Sequence, residues 1–214
     1  MLAPAIPLAV WGATLPSPPI PGRYTLRYRI GVSISDALRA TVLRRFRRLD
    51  RVERSIVMRA SVIGRDFDLH VAVAVAACSE ARARAALENA CGLELVVASG
   101  RDRYSFRHAL TQDIIYDELL KTRIRPLHRR ITRVLEGTLS SGQPVLEELA
   151  YHSWVAGDAR RALRYNELVG DHAAAVHAGE DARRYYSRAR SMTEIGSLGY
   201  SRLTEKLHAV EQDR

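Results

Sequence analysis

"RDRYSFRHALTQDIIYDELL", residues Arg101 to Leu120, changes its period halfway along. Tyr104 and Phe106 alternate with Arg103, Ser105 and Arg107, the period of two that marks a half-buried strand. From His108 the apolar positions become Leu110, Ile114, Ile115 and Leu119, which share one face of a helix. The stretch predicts a strand running straight into a helix, with a histidine at the hinge. Just upstream, "LELVVA" (93–98) is a second strand signal, joined to "RYSFR" through the tight turn "SGRD" around Gly100.

Four helices are expected ahead of this hairpin. The first, Asp36 to Leu49, has Ser33 and Ser35 as N-cap residues and Asp36 in its first turn. The second carries Val52, Ile56, Ala60 and Ile63 on one face and stops at Gly64. A third, Phe67 to Ala77, is almost wholly apolar, which predicts burial on all sides. Ser79 caps the fourth, "EARARAALENAC", and Gly92 ends it. Helices followed by a hairpin describe a winged helix over residues 33–108.

Downstream everything reads as helix. Leu110 to Leu120 is one, and Pro126 suits the first turn of the next, whose apolar face is Leu127, Ile131, Val134, Leu135 and Thr138. The breaker "SSGQP" closes these connecting helices, residues 109–142. "VLEELAYHSWVAGD", "ARRALRYNELVGDHAAAV" and "EDARRYYSRARSM" follow as short antiparallel helices, and residues 197–214 continue with Leu198, Leu203, Leu207 and Val210. "GDARRALRYNELV" and "GEDARRYYSRA" place Ala162 and Ala182 alike, each followed by aromatics: Tyr165, then Tyr185 and Tyr186. Small residues let paired helices approach closely, as in tetratricopeptide-like (TPR-like) units, although this offset of roughly 20 residues is short of the usual 34. The expected fold class is mainly α: a winged helix, then TPR-like antiparallel repeats over residues 143–214. Residues 1–32 are proline-rich, including "LPSPPIPG", and read as a leader without a helical period. Their apolar start lacks basic residues and is broken by Pro4 and Pro7, which argues against a signal peptide.

Charge and cysteine usage narrow the partners. The chain carries a net charge of +9, and its basic residues are arginines except Lys121 and Lys206. Such a balance suits a polyanion, or else simply coats amphipathic helices. In "RRFRRLDRVER" the second reading is favoured, because Leu38, Val42, Phe46 and Leu49 share a face and leave Arg39, Arg44, Arg47, Arg48 and Arg51 mostly to water. Arg82 and Arg84 on the fourth helix are the DNA-contacting candidates of the alternative, a free-standing winged-helix DNA-binding protein. Glu80, Glu88 and Asn89 beside them weigh against it. Cys78 and Cys91 are too far apart for a Cys-x-x-Cys motif and read as small hydrophobes, which fits a cytoplasmic protein. No run approaches the about 18 apolar residues of a membrane span, so no membrane partner is expected.

No catalytic constellation is found. There is no Gly-x-x-x-x-Gly-Lys-[Ser/Thr], no His-Glu-x-x-His and no Gly-x-Ser-x-Gly in the sequence. Asp113, Asp117 and Glu118 read as the solvated side of their helix, and His152, His172 and His177 lack the spacing of metal ligands. His70 and His128 fall among amphipathic positions that call for no function. Catalytic and metal-binding residues are therefore expected to be none, and the chain is expected not to be an enzyme.

"SDALRATVLRRFRRLDRVERSIVMRASVIGRDFD", "YSFRHALTQDIIYDELL…RPLHRRITRVLE" and "LAYHSWVAGDARRALRY" resemble the middle of large bacterial STAND-type signalling ATPases, those joined to LuxR-type DNA-binding or adenylate cyclase domains. In that family an AAA-like nucleotide domain precedes a winged helix, which leads into a TPR-like superhelix. The resemblance covers about residues 33–192. It implies a regulatory segment whose partners are the parent's nucleotide-binding domain, a protein or a small-molecule inducer, with ATP or ADP bound only by that parent. "FRHAL" resembles the Met-His-Asp motif of the related NB-ARC ATPases, whose histidine senses the phosphates of ADP. That implies nucleotide sensing by His108 with help from Arg107, although Arg107 stands where the motif has Met and Ala109 where it has Asp. The competing reading makes His108 a residue at the helix start that bonds local backbone. Trp154, Tyr165, Tyr185 and Tyr186 are the candidates for a partner-binding groove, with core packing as the alternative.

Overall fold

The computed structural model describes residues 35–119, 121–138 and 145–212, and only the backbone of 121–123. The proline-rich leader, the Ser33 cap and the "SSGQP" breaker lie outside the described residues. Those described are mainly helical, with one small sheet. In chain order the elements are α1 (Asp36–Phe46), α2 (Arg51–Ile63), β1 (Asp66–Asp68), α3 (Leu69–Ala76), α4 (Glu80–Gly92), β2 (Val96–Ala98) and β3 (Arg103–Phe106). There follow α5 (Ala109–Asp117), α6 (Lys121–Thr138), α7 (Leu146–Val155), α8 (Ala159–Ala175), α9 (Gly179–Ser191) and α10 (Leu198–Gln212).

Local chemistry sets the helix starts. Ser35 and Ser79 accept from the N–H groups of Leu38 and Arg82. Asp50 and Glu53 form a reciprocal capping box on α2, both bonds 2.8 Å. Pro126 stands six residues into α6 instead of in its first turn, so the helix forgoes one internal hydrogen bond there.

The sheet has three strands, not two. Its order is β1-β3-β2, antiparallel throughout, with Phe67 opposite Tyr104 and Val96 opposite Phe106. Phe67, expected to open the third helix, lies instead in β1. Its ring packs on those of Tyr104 and Phe106, with centroids 6.2 and 5.7 Å away. A three-residue strand is too short to show alternation, and the apolar run behind it masked it. Helix α3 starts only at Leu69, whose N–H donates to the Asp102 carbonyl at 2.8 Å.

In the second half α6 packs on α7, α7 on α8, α8 on α9 and α9 on α10, while α6 also touches α2 and α3. Gly157 takes a left-handed φ of 69° in the turn from α7 to α8, where a side chain would be strained. Ala162 and Ala182 are fully buried, and Gly170 of α8 lies directly against the Tyr186 ring of α9. A Cβ there would come within 2.6 Å of the Tyr186 ring. One hydrophobic core runs from Val42 in α1 to Tyr185 in α9, so both halves share it. A smaller cluster ties α8 and α9 to Leu203 and Leu207 of α10.

Candidate functional site

At the strand-to-helix hinge, Arg107 and His108 are both exposed. The Arg107 N–H reaches back to the Leu95 carbonyl, and the His108 carbonyl accepts from Thr111 and Gln112, which starts α5. The His108 side chain makes no capping hydrogen bond. Its imidazole projects from a backbone held at both sides.

The remaining sequence candidates separate. Arg82 is exposed, but Arg84 donates to both Glu80 and Asp102 at 2.8 Å, so its charge is already met. Asp113, expected on a solvated face, is buried at 3% exposure, because α5 is covered on that side as well. Asp117 and Glu118 are bridged by Arg39, at 3.2 and 3.0 Å. That arginine, expected to face water, clamps α1 to the end of α5.

The four aromatics do not line one groove. Tyr165 is buried and donates to Glu136 at 2.8 Å, within a network in which Arg161 also holds Glu136 and Asp158. The Arg161 guanidinium lowers the Glu136 pKa, while burial and the Glu136 contact push the Tyr165 hydroxyl up to about 12. Tyr186 is buried, donates to Asp171 at 2.8 Å and lies under Lys206. These two tyrosines pin helix to helix, α6 to α8 and α8 to α9. All three tyrosines are buried against neighbouring helices, and Tyr186 borders a surface pocket between α9 and α10.

Only Trp154 and Tyr185 come together, and what joins them is Arg188. The Arg188 guanidinium carbon lies 5.2 Å from the Trp154 ring centre and 5.4 Å from that of Tyr185. Arg188 is the only buried arginine or lysine among the described residues, at 7% exposure. Its Nε and Nη1 have no hydrogen-bond partner, nor does the buried Tyr185 hydroxyl. Desolvation takes the guanidinium down to about 10, and the neighbours acting on it are Tyr185, Arg184 and Tyr151, none a carboxylate. Neutral amide oxygens of Gln112 and Asn166 are also unpartnered, but each of those side chains is anchored through its NH2 group. Periodicity places Arg188 on the amphipathic α9 and cannot tell that its head is enclosed.

A second cluster was also hidden from the sequence. His128 of α6 and His152 of α7 are fully buried, with their Nδ1 atoms 2.7 Å apart. His152 Nε2 lies 3.2 Å from the Ile63 carbonyl at the end of α2 and must donate to it, since a carbonyl only accepts. In a neutral ring that leaves His152 Nδ1 as acceptor, so His128 Nδ1–H donates. His128 Nε2 then accepts from the Tyr116 hydroxyl at 3.3 Å. Every ring nitrogen is used with both imidazoles neutral, and burial lowers both pKa values, that of His152 to about 3. The chain Tyr116, His128, His152, Ile63 joins α5, α6, α7 and α2.

Comparison with protein-family models, curated proteins and solved structures gives no match for this chain. Among the described residues no helix is long and apolar enough to cross a membrane.

Proposed function

We propose that this chain is a non-enzymatic regulatory segment of a STAND-type signalling ATPase or transcriptional regulator. Residues 33–108 act as a winged helix that docks on a nucleotide-binding domain, and residues 143–214 act as TPR-like repeats that take an inducer or protein partner. The observation that supports the reading best is the placement of His108 and Arg107. Both are exposed at a hinge whose backbone is fixed, on the half that shares its core with the helical pairs. An imidazole and a guanidinium so held can donate to a phosphate on an opposing surface. A close-packed core spanning both halves transmits a shift at one end to the other. Cys91, its thiol pushed up by burial, offers no nucleophile.

The test is to read the DNA upstream of the first codon for Gly-x-x-x-x-Gly-Lys-[Ser/Thr] and to titrate the domain it encodes, loaded with ADP, with this chain. A stoichiometric complex is expected, weakened at least about tenfold by Arg107→Ala with His108→Ala, the loss typical of a charge-assisted hydrogen bond. ATP turnover by the chain alone, or no complex, would overturn the reading. The DNA-binding alternative is less well supported, because Glu80 and Asp102 occupy Arg84. Sequence-selective gel shifts lost on Arg82→Ala with Arg84→Ala would reinstate it.

A further inference from the structure

A cation enclosed by protein is costly unless something answers its charge and its N–H groups. Arg188 is 93% buried by its 7% exposure, and two of its nitrogens have no acceptor. The Trp154 and Tyr185 rings, 5.2 and 5.4 Å away, supply π electrons but no hydrogen-bond acceptor in the guanidinium plane. The Tyr185 hydroxyl beside it is a second donor without an acceptor. Three polar groups on one side of α9 thus lack the same thing, an oxygen that accepts.

We propose that Arg188, Tyr185 and Trp154 form a binding site for a small aromatic oxyanion, a carboxylate or phosphate carried on a flat ring. The oxyanion takes the Arg188 fork and the Tyr185 hydroxyl, the geometry in which arginine holds carboxylate or phosphate by two parallel bonds. The ligand's ring stacks on Trp154. Trp154 is the partly exposed member of the group, and binding requires its ring to swing aside so that a ligand reaches the guanidinium. The carboxylates whose charge reaches the Tyr185 hydroxyl are Glu147 and Asp181; neither bonds Arg188, and Asp181 is held by Arg184 at 3.0 Å. The proposal rests on reading the helical half as the sensing half, and names the chemistry of what it senses.

The chain has two tryptophans, so full-length protein carrying Trp11→Phe reports on Trp154 alone. Benzoate, phenyl phosphate and inorganic phosphate are titrated against it, with sodium chloride at equal ionic strength as the control. Benzoate or phenyl phosphate is expected to change the emission saturably and to raise the melting temperature, with inorganic phosphate at least tenfold weaker. Arg188→Met is expected to abolish both effects while melting no lower than the parent in plain buffer, since it removes an unanswered charge. Arg188→Lys, which keeps the charge and loses the fork, should bind at least tenfold more weakly. No saturable response to either aryl anion, or an unchanged response in Arg188→Met, would overturn the site. Melting of Arg188→Met well below the parent would make Arg188 a structural residue and overturn it too. The ADP-dependent complex with the nucleotide-binding domain is measured on the same variants. Its survival in Arg188→Met would separate failure of this site from failure of the regulatory reading.

Discussion

At the α5–α7 junction two histidines with no exposed surface satisfy one another, whereas at α9 two guanidinium nitrogens of Arg188 and the Tyr185 hydroxyl, buried nearly as deeply, have no hydrogen-bond partner. The difference is one of acceptors. The histidine pair ends on a tyrosine hydroxyl at one side and a free carbonyl at the end of α2 at the other, so each donor meets a lone pair. Arg188 carries only donors and is flanked by rings. A closed polar chain in a dry interior holds helices in register. An open one is a stability cost that a ligand can remove.

The comparison breaks most readily at the histidines. His128→Ala leaves a cavity and deprives both His152 and Tyr116 of a partner, and should cost about 3 kcal/mol in urea unfolding. A loss under about 1 kcal/mol would show that the chain of bonds holds nothing. Acid probes the same pair without mutation. Unfolding returns both rings to the ordinary 6.5, while the fold resists protonation of His152 down to about 3. Their contribution is therefore complete above about 6.5 and is lost as pH falls toward 3, by a few kcal/mol in all. Between pH 7 and 5 the lowered carboxylates Glu136 and Glu167 stay mostly charged in both states, so a fall in the urea midpoint there reports on the histidines.

Gly170→Ala drives a methyl against the Tyr186 ring and should cost about 2 kcal/mol, read as a lower melting temperature. Arg188→Met should move the other way, gaining about 1 kcal/mol by removing a buried charge that no carboxylate pairs and whose Nε and Nη1 have no acceptor. Opposite signs for these two substitutions, on facing helices, would sharpen the contrast between packed and unanswered groups. Arg39→Ala removes two half-exposed ion pairs and should cost no more than about 1 kcal/mol, a loss that high salt erases.

The helices of the second half and the strand Arg103–Phe106 were legible because each repeats a period over several residues. So was the hinge at His108, where one period replaces the other. Strand β1 was not, because Asp66–Asp68 is too short to carry a period and Phe67 reads equally well as the start of the helix behind it. Asp113 was misplaced for a related reason: an amphipathic pattern shows which face is apolar, not whether the opposite face is covered by another element. Among the candidates, Tyr165, Tyr185 and Tyr186 were recognised as a group by spacing. Their separate roles depend on Glu136, Asp171 and Arg188, which lie on other turns and other helices.

From the sequence come the order of the helices and of the hairpin, the hinge, the caps at Ser35 and Ser79, and the small residues that let α8 and α9 meet. Each of these is a local property, set within a few residues by backbone sterics, hydrogen bonding and apolar spacing. Only the tertiary structure decided that His128 meets His152 across 24 positions, and that the pair runs from Tyr116 to the Ile63 carbonyl. It alone decided that Arg188 is enclosed with two of its nitrogens lacking an acceptor. Burial and hydrogen-bond satisfaction are properties of pairs of elements, and no single segment records them.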